Sequence, residues 1–275
     1  MTRVVWLAAL LLAWAGVVRA QPVPERVVSA DGAVTEFVYA LGQGERLVGV
    51  DTTSRYPEAV GRLPKVGYLR ALPFEGVLAL RPDLLLTTEE AAPERNLMRL
   101  ENAGVRVVRL PVAWTLAQVR ERIRRIGQTL AAEPEAERLI QNFDVRLQAV
   151  EADIRHRGAS PRVLFLLVAG SHQLMVAGAN TAADALLDIL GADNAAGAME
   201  GYKPASREAL IATRPDAIVV AEASAGQFRV SDWPELALLD AWQRERVYVG
   251  DSMFLLGFGP RLPEALEAVN AVLAP

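Results

Sequence analysis

The sequence predicts an α/β fold: two Rossmann-like α/β lobes joined by a single long connecting helix, with a ligand cleft between them. Three observations predict it. Short apolar runs alternate with stretches of helical periodicity along most of the chain. One helical stretch, Pro134 to Arg157, would be roughly 36 Å long, too long for a small α/β lobe. A pattern also occurs twice: Glu75-Gly-Val-Leu-Ala-Leu-Arg81-Pro82-Asp83 before one apolar run, and Glu208-Ala-Leu-Ile-Ala-Thr-Arg214-Pro215-Asp216 before another. Gly67-Tyr68 precedes the first copy and Gly201-Tyr202 the second, which points to a duplicated lobe.

The elements follow in order. Arg26 to Ser29 reads as strand, Gly32 to Leu41 as a helix stopped by Gly42, and Leu47 to Val50 as strand. Leu84 to Thr87 is a strand after Arg-Pro-Asp, Glu94 to Asn102 a helix, and Arg106 to Leu110 a strand. Thr115 to Leu130 carries Leu116, Val119, Ile123, Ile126 and Leu130 at helical spacing, and the run Arg120 to Arg125 reads as a charged face of that helix, not a nucleic-acid site. Pro134 suits the start of the long helix, and Gly158 to Pro161 stops it. Alternation then resumes: strand Val163 to Val168, helix Asn180 to Leu190, strands Ala217 to Val220 and Val247 to Val249, and a last helix Pro263 to Leu273. Gly257 to Pro260 reads as a loop, Ser224 to Asp232 as irregular, and Leu69, Leu174 and Met175 as loop residues. The expected boundaries are residues 21–133 for the first lobe, 134–157 for the connecting helix and 158–275 for the second lobe.

Residues 1–20 read as a cleaved secretory signal: Arg3, an apolar run from Val4 to Val18, and Val18-Arg19-Ala20 before Gln21. The run is too short to span a bilayer. Composition narrows the chemistry. With 52% hydrophobic residues the chain is globular, and 29 basic against 33 acidic residues speak against a nucleic-acid binder. The chain has no cysteine and two histidines, which removes disulfides, thiolate sites, a lipid-bearing cysteine and a three-histidine zinc site. No serine or aspartate constellation has a histidine at hydrolase spacing. Gly42-Gln-Gly44 lacks the third glycine of a dinucleotide fingerprint.

Val28 to Gly42, Leu47 to Asp51, Tyr56-Pro57 and the paired Glu…Arg-Pro-Asp segments resemble the ABC-transporter substrate-binding proteins with a rigid helical connector, which carry cobalamin, ferric siderophores and haem. Leu63 to Leu80, containing Gly67-Tyr68-Leu69-Arg70 and Glu75-Gly76, is similar to the haem-binding branch, as are Met175 to Ala185 and Gly201-Tyr202-Lys203-Pro204. The resemblance implies a periplasmic, non-enzymatic haem carrier, monomeric and free of the membrane, serving an inner-membrane ABC permease dimer with its ATPase. It implies Tyr68 as iron ligand, since a phenolate suits ferric iron, with Arg70 supporting the phenolate or a propionate. Lys203 and Arg229 are propionate candidates, and His172, Tyr202 and Met175 possible haem contacts. Glu75 and Glu208 would dock on permease arginines, and the same glutamates would also favour their helix N-termini without any partner. His172 sits out of register with the family's loop histidines, and His156 reads as solvated or as a helix C-cap. Cobalamin or a ferric siderophore remains an alternative ligand. Zinc or manganese is disfavoured by the two histidines, and a porphyrin- or metal-handling enzyme is the alternative of another class.

Overall fold

The computed structural model describes residues 23–158, 160–170 and 173–273. The expected signal segment, residues 1–20, and His172 lie outside the described residues.

The first sheet is built from β1 (Val27–Ala30), β2 (Leu47–Val50), β3 (Leu84–Thr88) and β4 (Arg106–Leu110), all parallel in the order β2-β1-β3-β4. Helices α1 (Gly32–Ala40), α2 (Phe74–Leu78) and α3 (Glu94–Asn102) connect them. α4 (Leu116–Leu130) and α5 (Glu133–Arg157) follow. α4 opens with a capping box, Thr115 accepting from Gln118 N–H while the Gln118 side chain accepts from Thr115 N–H. α5 begins with a proline in its first turn and ends at Gly158 in a left-handed conformation.

The second sheet runs β10-β9-β5-β6-β8. Its parallel part is β5 (Arg162–Ala169), β9 (Ala217–Glu222) and β10 (Val247–Asp251), with the short β7 (Asp193–Asn194) beside β5. Helices α6 (Ala182–Ile189), α7 (Arg207–Thr213), α8 (Asp240–Gln243), α9 (Ser252–Leu256) and α10 (Leu262–Leu273) complete it. Two antiparallel strands, β6 (Gln173–Ala177) and β8 (Tyr202–Pro204), extend this sheet beyond β5. Here the structure corrects the sequence reading. Leu174 and Met175 lie in β6, not in a loop, because the chain after β5 turns back and pairs with it. Leu69 opens a short 3-10 turn and is buried. A short helix, α9, also stands just before the Gly257–Pro260 loop.

The duplication is a structural one. Arg214, the C-cap of α7, and Arg81, three residues past the end of α2, both adopt the left-handed region, at φ 43° and 50°. Asp83 accepts from Arg26 N–H at 3.1 Å, and Asp216 accepts from Arg162 N–H at 2.8 Å. The Arg26 side chain donates to the Leu80 and Arg81 carbonyls, and that of Arg162 donates to Thr213. In each half, an arginine at the start of the first strand (Arg26 just before β1, Arg162 opening β5) donates to carbonyls where a helix ends, and the aspartate ties that segment to the strand.

One apolar core runs through both sheets. It joins Phe37 and Leu41 of α1, Ile123 and Ile126 of α4, Phe143 and Leu147 of α5, Phe165 and Val219 of the second sheet, and Leu266 of α10. Gly127 of α4 lets α5 approach closely, since a Cβ there would sit 2.6 Å from Ala136 Cβ. The helical connector is therefore packed on both sides and is not a free hinge.

Candidate ligand-binding cleft

In open parallel sheets, ligands bind beyond the carboxyl ends of the strands. Here the residues just past those ends face each other across a cleft of about 440 Å³. Asp31 follows β1, Thr88 ends β3, Glu90 lies just beyond it, Trp114 follows β4, Leu167 is near the end of β5, and Ser252 follows β10.

Tyr68 stands at the lip on the first lobe. Gly67 before it has φ 107°, and a Cβ there would meet Pro73 Cδ at 2.9 Å, so the turn requires glycine. The segment is fastened on both sides. Val66 N–H donates to Val50 O at 2.9 Å and Thr52 N–H to Gly67 O at 2.9 Å, while Leu72 N–H donates to Ala92 O and Ala92 N–H to Leu69 O. Leu69 and Leu72 are buried beneath, whereas Tyr68 is 44% exposed and lines the cleft. The sequence places a phenol on a backbone segment held from both sides, at the mouth of the cleft. Beside it, Arg70 donates through Nη2 to Glu90 Oε1 at 2.5 Å, and both side chains line the cleft.

Tyr202 lines the cleft from the second lobe. Burial raises its phenol pKa, and the start of α6 (Ala183 N–H and the Thr181 side chain) together with Arg70 pulls the other way. The structure thus brings Tyr68, Arg70 and Tyr202 into one cleft. Met175 pairs with Leu167 and so shares its face of the sheet, one strand further out, without lining the cleft. Lys203 is exposed and faces away from Tyr202, because neighbouring strand residues alternate sides. Arg229 donates to Asp232 and lines a separate, very small depression with Leu174 and Trp233. His156 Nδ1 lies 2.7 Å from Ala152 O on the exposed end of α5.

Glu75 and Glu208 stand in the first turns of α2 and α7, both exposed. Each helix leads into a parallel strand, so it runs antiparallel to that strand and starts at the strands' carboxyl ends. Both glutamates therefore sit at the end of the molecule onto which the cleft opens. Arg99 Nη2 reaches Glu75 Oε1 at 3.3 Å.

The cleft floor holds residues that sequence reasoning missed. Arg122, within the run that reads as a charged helix face, is only 4% exposed and donates to Pro111 O at 2.9 Å. The signal was present: Arg122 falls three residues after Val119 and four before Ile126, on the apolar stripe. Burial presses its pKa down, against Asp31 and Glu90. Asp31 caps α1, accepting from Val34 N–H at 3.1 Å, and holds φ 145°. Burial raises its carboxyl pKa, with Arg122 opposing. Among the described residues no group of histidines, cysteines and carboxylates could hold a metal ion, and no helix is long and apolar enough to cross a membrane.

Comparisons with known proteins agree with this architecture. The profile of the periplasmic binding protein family matches residues 27–253. An uncharacterised ABC transporter substrate-binding lipoprotein of Bacillus subtilis is 30% identical over 92% of this chain and 81% of its own. A vitamin B12-binding protein of Pectobacterium atrosepticum is 32% identical over 80% of this chain and 78% of its own. The crystal structure of a periplasmic heme-binding protein from Pseudomonas aeruginosa superposes with a TM-score of 0.84 at 41% identity, covering 92% of this chain and 93% of that one. The chain belongs to the periplasmic binding protein family, as a substrate-binding protein of an ABC transporter.

Proposed function

We propose that this protein carries haem in the periplasm, binds it in the cleft with Tyr68 as iron ligand, and delivers it to an inner-membrane permease. The observation that carries the reading is Tyr68 itself: a phenol held at the cleft lip on a turn that only glycine at position 67 permits, with the Arg70 guanidinium two residues on. Iron inside a porphyrin asks the protein for few ligands, so a single phenol oxygen can serve it. Trp114, Leu167, Met253 and Leu256 offer apolar surface to a flat macrocycle.

Arg70 supports the phenolate or a propionate, and Tyr202 packs against the ligand from the other lobe. Lys203, Arg229 and Met175 are contacts that would need lobe or side-chain movement, or a second ligand molecule, to take part, and His172 is a further candidate contact. Glu75 and Glu208 dock on the permease, where exposed charges set orientation and on-rate more than affinity. The protein performs no covalent chemistry, and release follows from docking. The cobalamin reading is favoured by the similarity to vitamin B12-binding proteins. Tyr68 at the cleft lip, a phenol oxygen suited to ferric iron, favours haem. Parallel titrations of the purified protein with ferric haem and with cyanocobalamin test the choice. Saturable uptake of haem, with a shifted Soret band and no cobalamin uptake, is expected. Uptake of cobalamin alone refutes the haem reading.

A further inference from the structure

A carboxylate in the mouth of the cleft needs an explanation. Glu90 lines the same wall as Tyr68 and Arg70, and its charge reaches both Tyr202 across the cleft and Arg122 on the floor. For a cargo that carries carboxylates of its own, a fixed negative charge there is unfavourable unless it does something else. What it does is hold Arg70: Nη2 donates to Glu90 Oε1 at 2.5 Å, with the two side chains 55% and 40% exposed. Neither partner is locked in place by burial, so the pair is one that an incoming anion can break.

We propose that Glu90 is an internal stand-in for a cargo carboxylate, holding Arg70 until a carboxylated ligand enters, yielding it then and reclaiming it on release. The inference rests on the haem reading and names the chemistry that Arg70 recognises within it. Exchanging one carboxylate for another on the same guanidinium is close to neutral in energy. Glu90 therefore lowers affinity modestly and speeds release, which suits a carrier that must give its cargo up. An ion pair this exposed is a weak competitor, worth a factor of up to about five.

The test is the rate of haem release, followed as capture by excess apomyoglobin, in a double-mutant cycle. Glu90→Gln should slow release about two- to five-fold while leaving the melting temperature unchanged, and Glu90→Ser should do the same. In an Arg70→Ala background the Glu90→Gln effect should vanish. With haem dimethyl ester, which has no free carboxylate, Glu90→Gln should have no effect even when Arg70 is present. Unchanged or faster release in Glu90→Gln overturns the proposal. So does slower release that persists in the Arg70→Ala background, because that would be plain repulsion of an anionic cargo by Glu90. A wild-type protein that takes cobalamin and not haem overturns the functional reading and this inference with it. Normal haem uptake with a failed cycle overturns the inference alone.

Discussion

Removing the guanidinium of Arg261 should cost the protein far more at neutral pH than in mild acid. Glu36 lies on α1 in the first lobe, and Arg261 stands just before α10 in the second. Arg261 Nε donates to Glu36 Oε2 at 2.7 Å, and Nη2 donates to Oε1, so the pair is bidentate and spans the two halves of the chain. The Glu36 side chain is 4% exposed and that of Arg261 22%, with the guanidinium stacked 3.9 Å over the Tyr56 ring. Burial pushes the Glu36 carboxyl above its usual value even with Arg261 beside it. Most of the attraction is thus spent on desolvation, and Arg261→Met leaves a buried carboxylate without its partner. Breaking one side of a buried pair costs about 3–5 kcal/mol. For a chain of this size that lowers the melting temperature by roughly 6–20 °C. The sign of the pH effect follows from linkage. A carboxyl whose folded pKa is raised stabilises the fold while it is protonated, and that contribution is lost as pH rises from the unfolded value of 4.5 through the folded one. Without Arg261 the folded value rises further. The deficit of the variant should therefore be largest near pH 8 and shrink by up to about 1.4 kcal/mol per pH unit toward pH 5. Urea denaturation of both proteins across that range measures it. A deficit below about 1 kcal/mol, or one equal at pH 5 and pH 8, would refute the reasoning.

Other predictions follow from the same structure. Phe143→Ala, in the buried face of α5, should cost about 3–5 kcal/mol and loosen both lobes together, because one core joins them; separate unfolding transitions in wild type would contradict this. Tyr202 carries a raised phenol pKa, so its stabilisation should be lost as pH climbs above 10.0, and Tyr202→Phe should flatten that part of the stability profile in alkaline urea titrations. The double variant Glu75→Ala, Glu208→Ala should bind haem as wild type does yet fail to support transport in permease-containing liposomes; undiminished transport would remove both glutamates from the docking account.

Much of the fold was legible because local signals and tertiary structure agree. Gly42, Gly158 and the Arg-Pro-Asp segments stop helices where the chain stops them, and Thr115 caps α4 with Gln118 in place. The β6–β8 extension was not legible. Its strands are short, and β8 makes sense only once β6 offers an edge to pair with. The same limit applies to the site. Gly67-Tyr68-Leu69-Arg70 could be read locally, since one tight turn presents the phenol. Lys203 could not be placed by adjacency to Tyr202, because strand alternation turns it to the opposite face. Arg122 was hidden inside a run of charges, although its spacing from Val119 and Ile126 marked it as inward-facing. Glu90 drew no attention in sequence, for its partner lies twenty residues away and meets it only across the turn that carries Tyr68.

The central claim is that Tyr68 supplies the oxygen ligand to ferric haem. The visible and resonance Raman spectra of haem-loaded wild type and Tyr68→Phe test it most directly. The account predicts phenolate vibrations and a phenolate-to-iron charge-transfer band in wild type, with both lost in Tyr68→Phe along with most of the affinity. Identical spectra and affinity in the two proteins would contradict it.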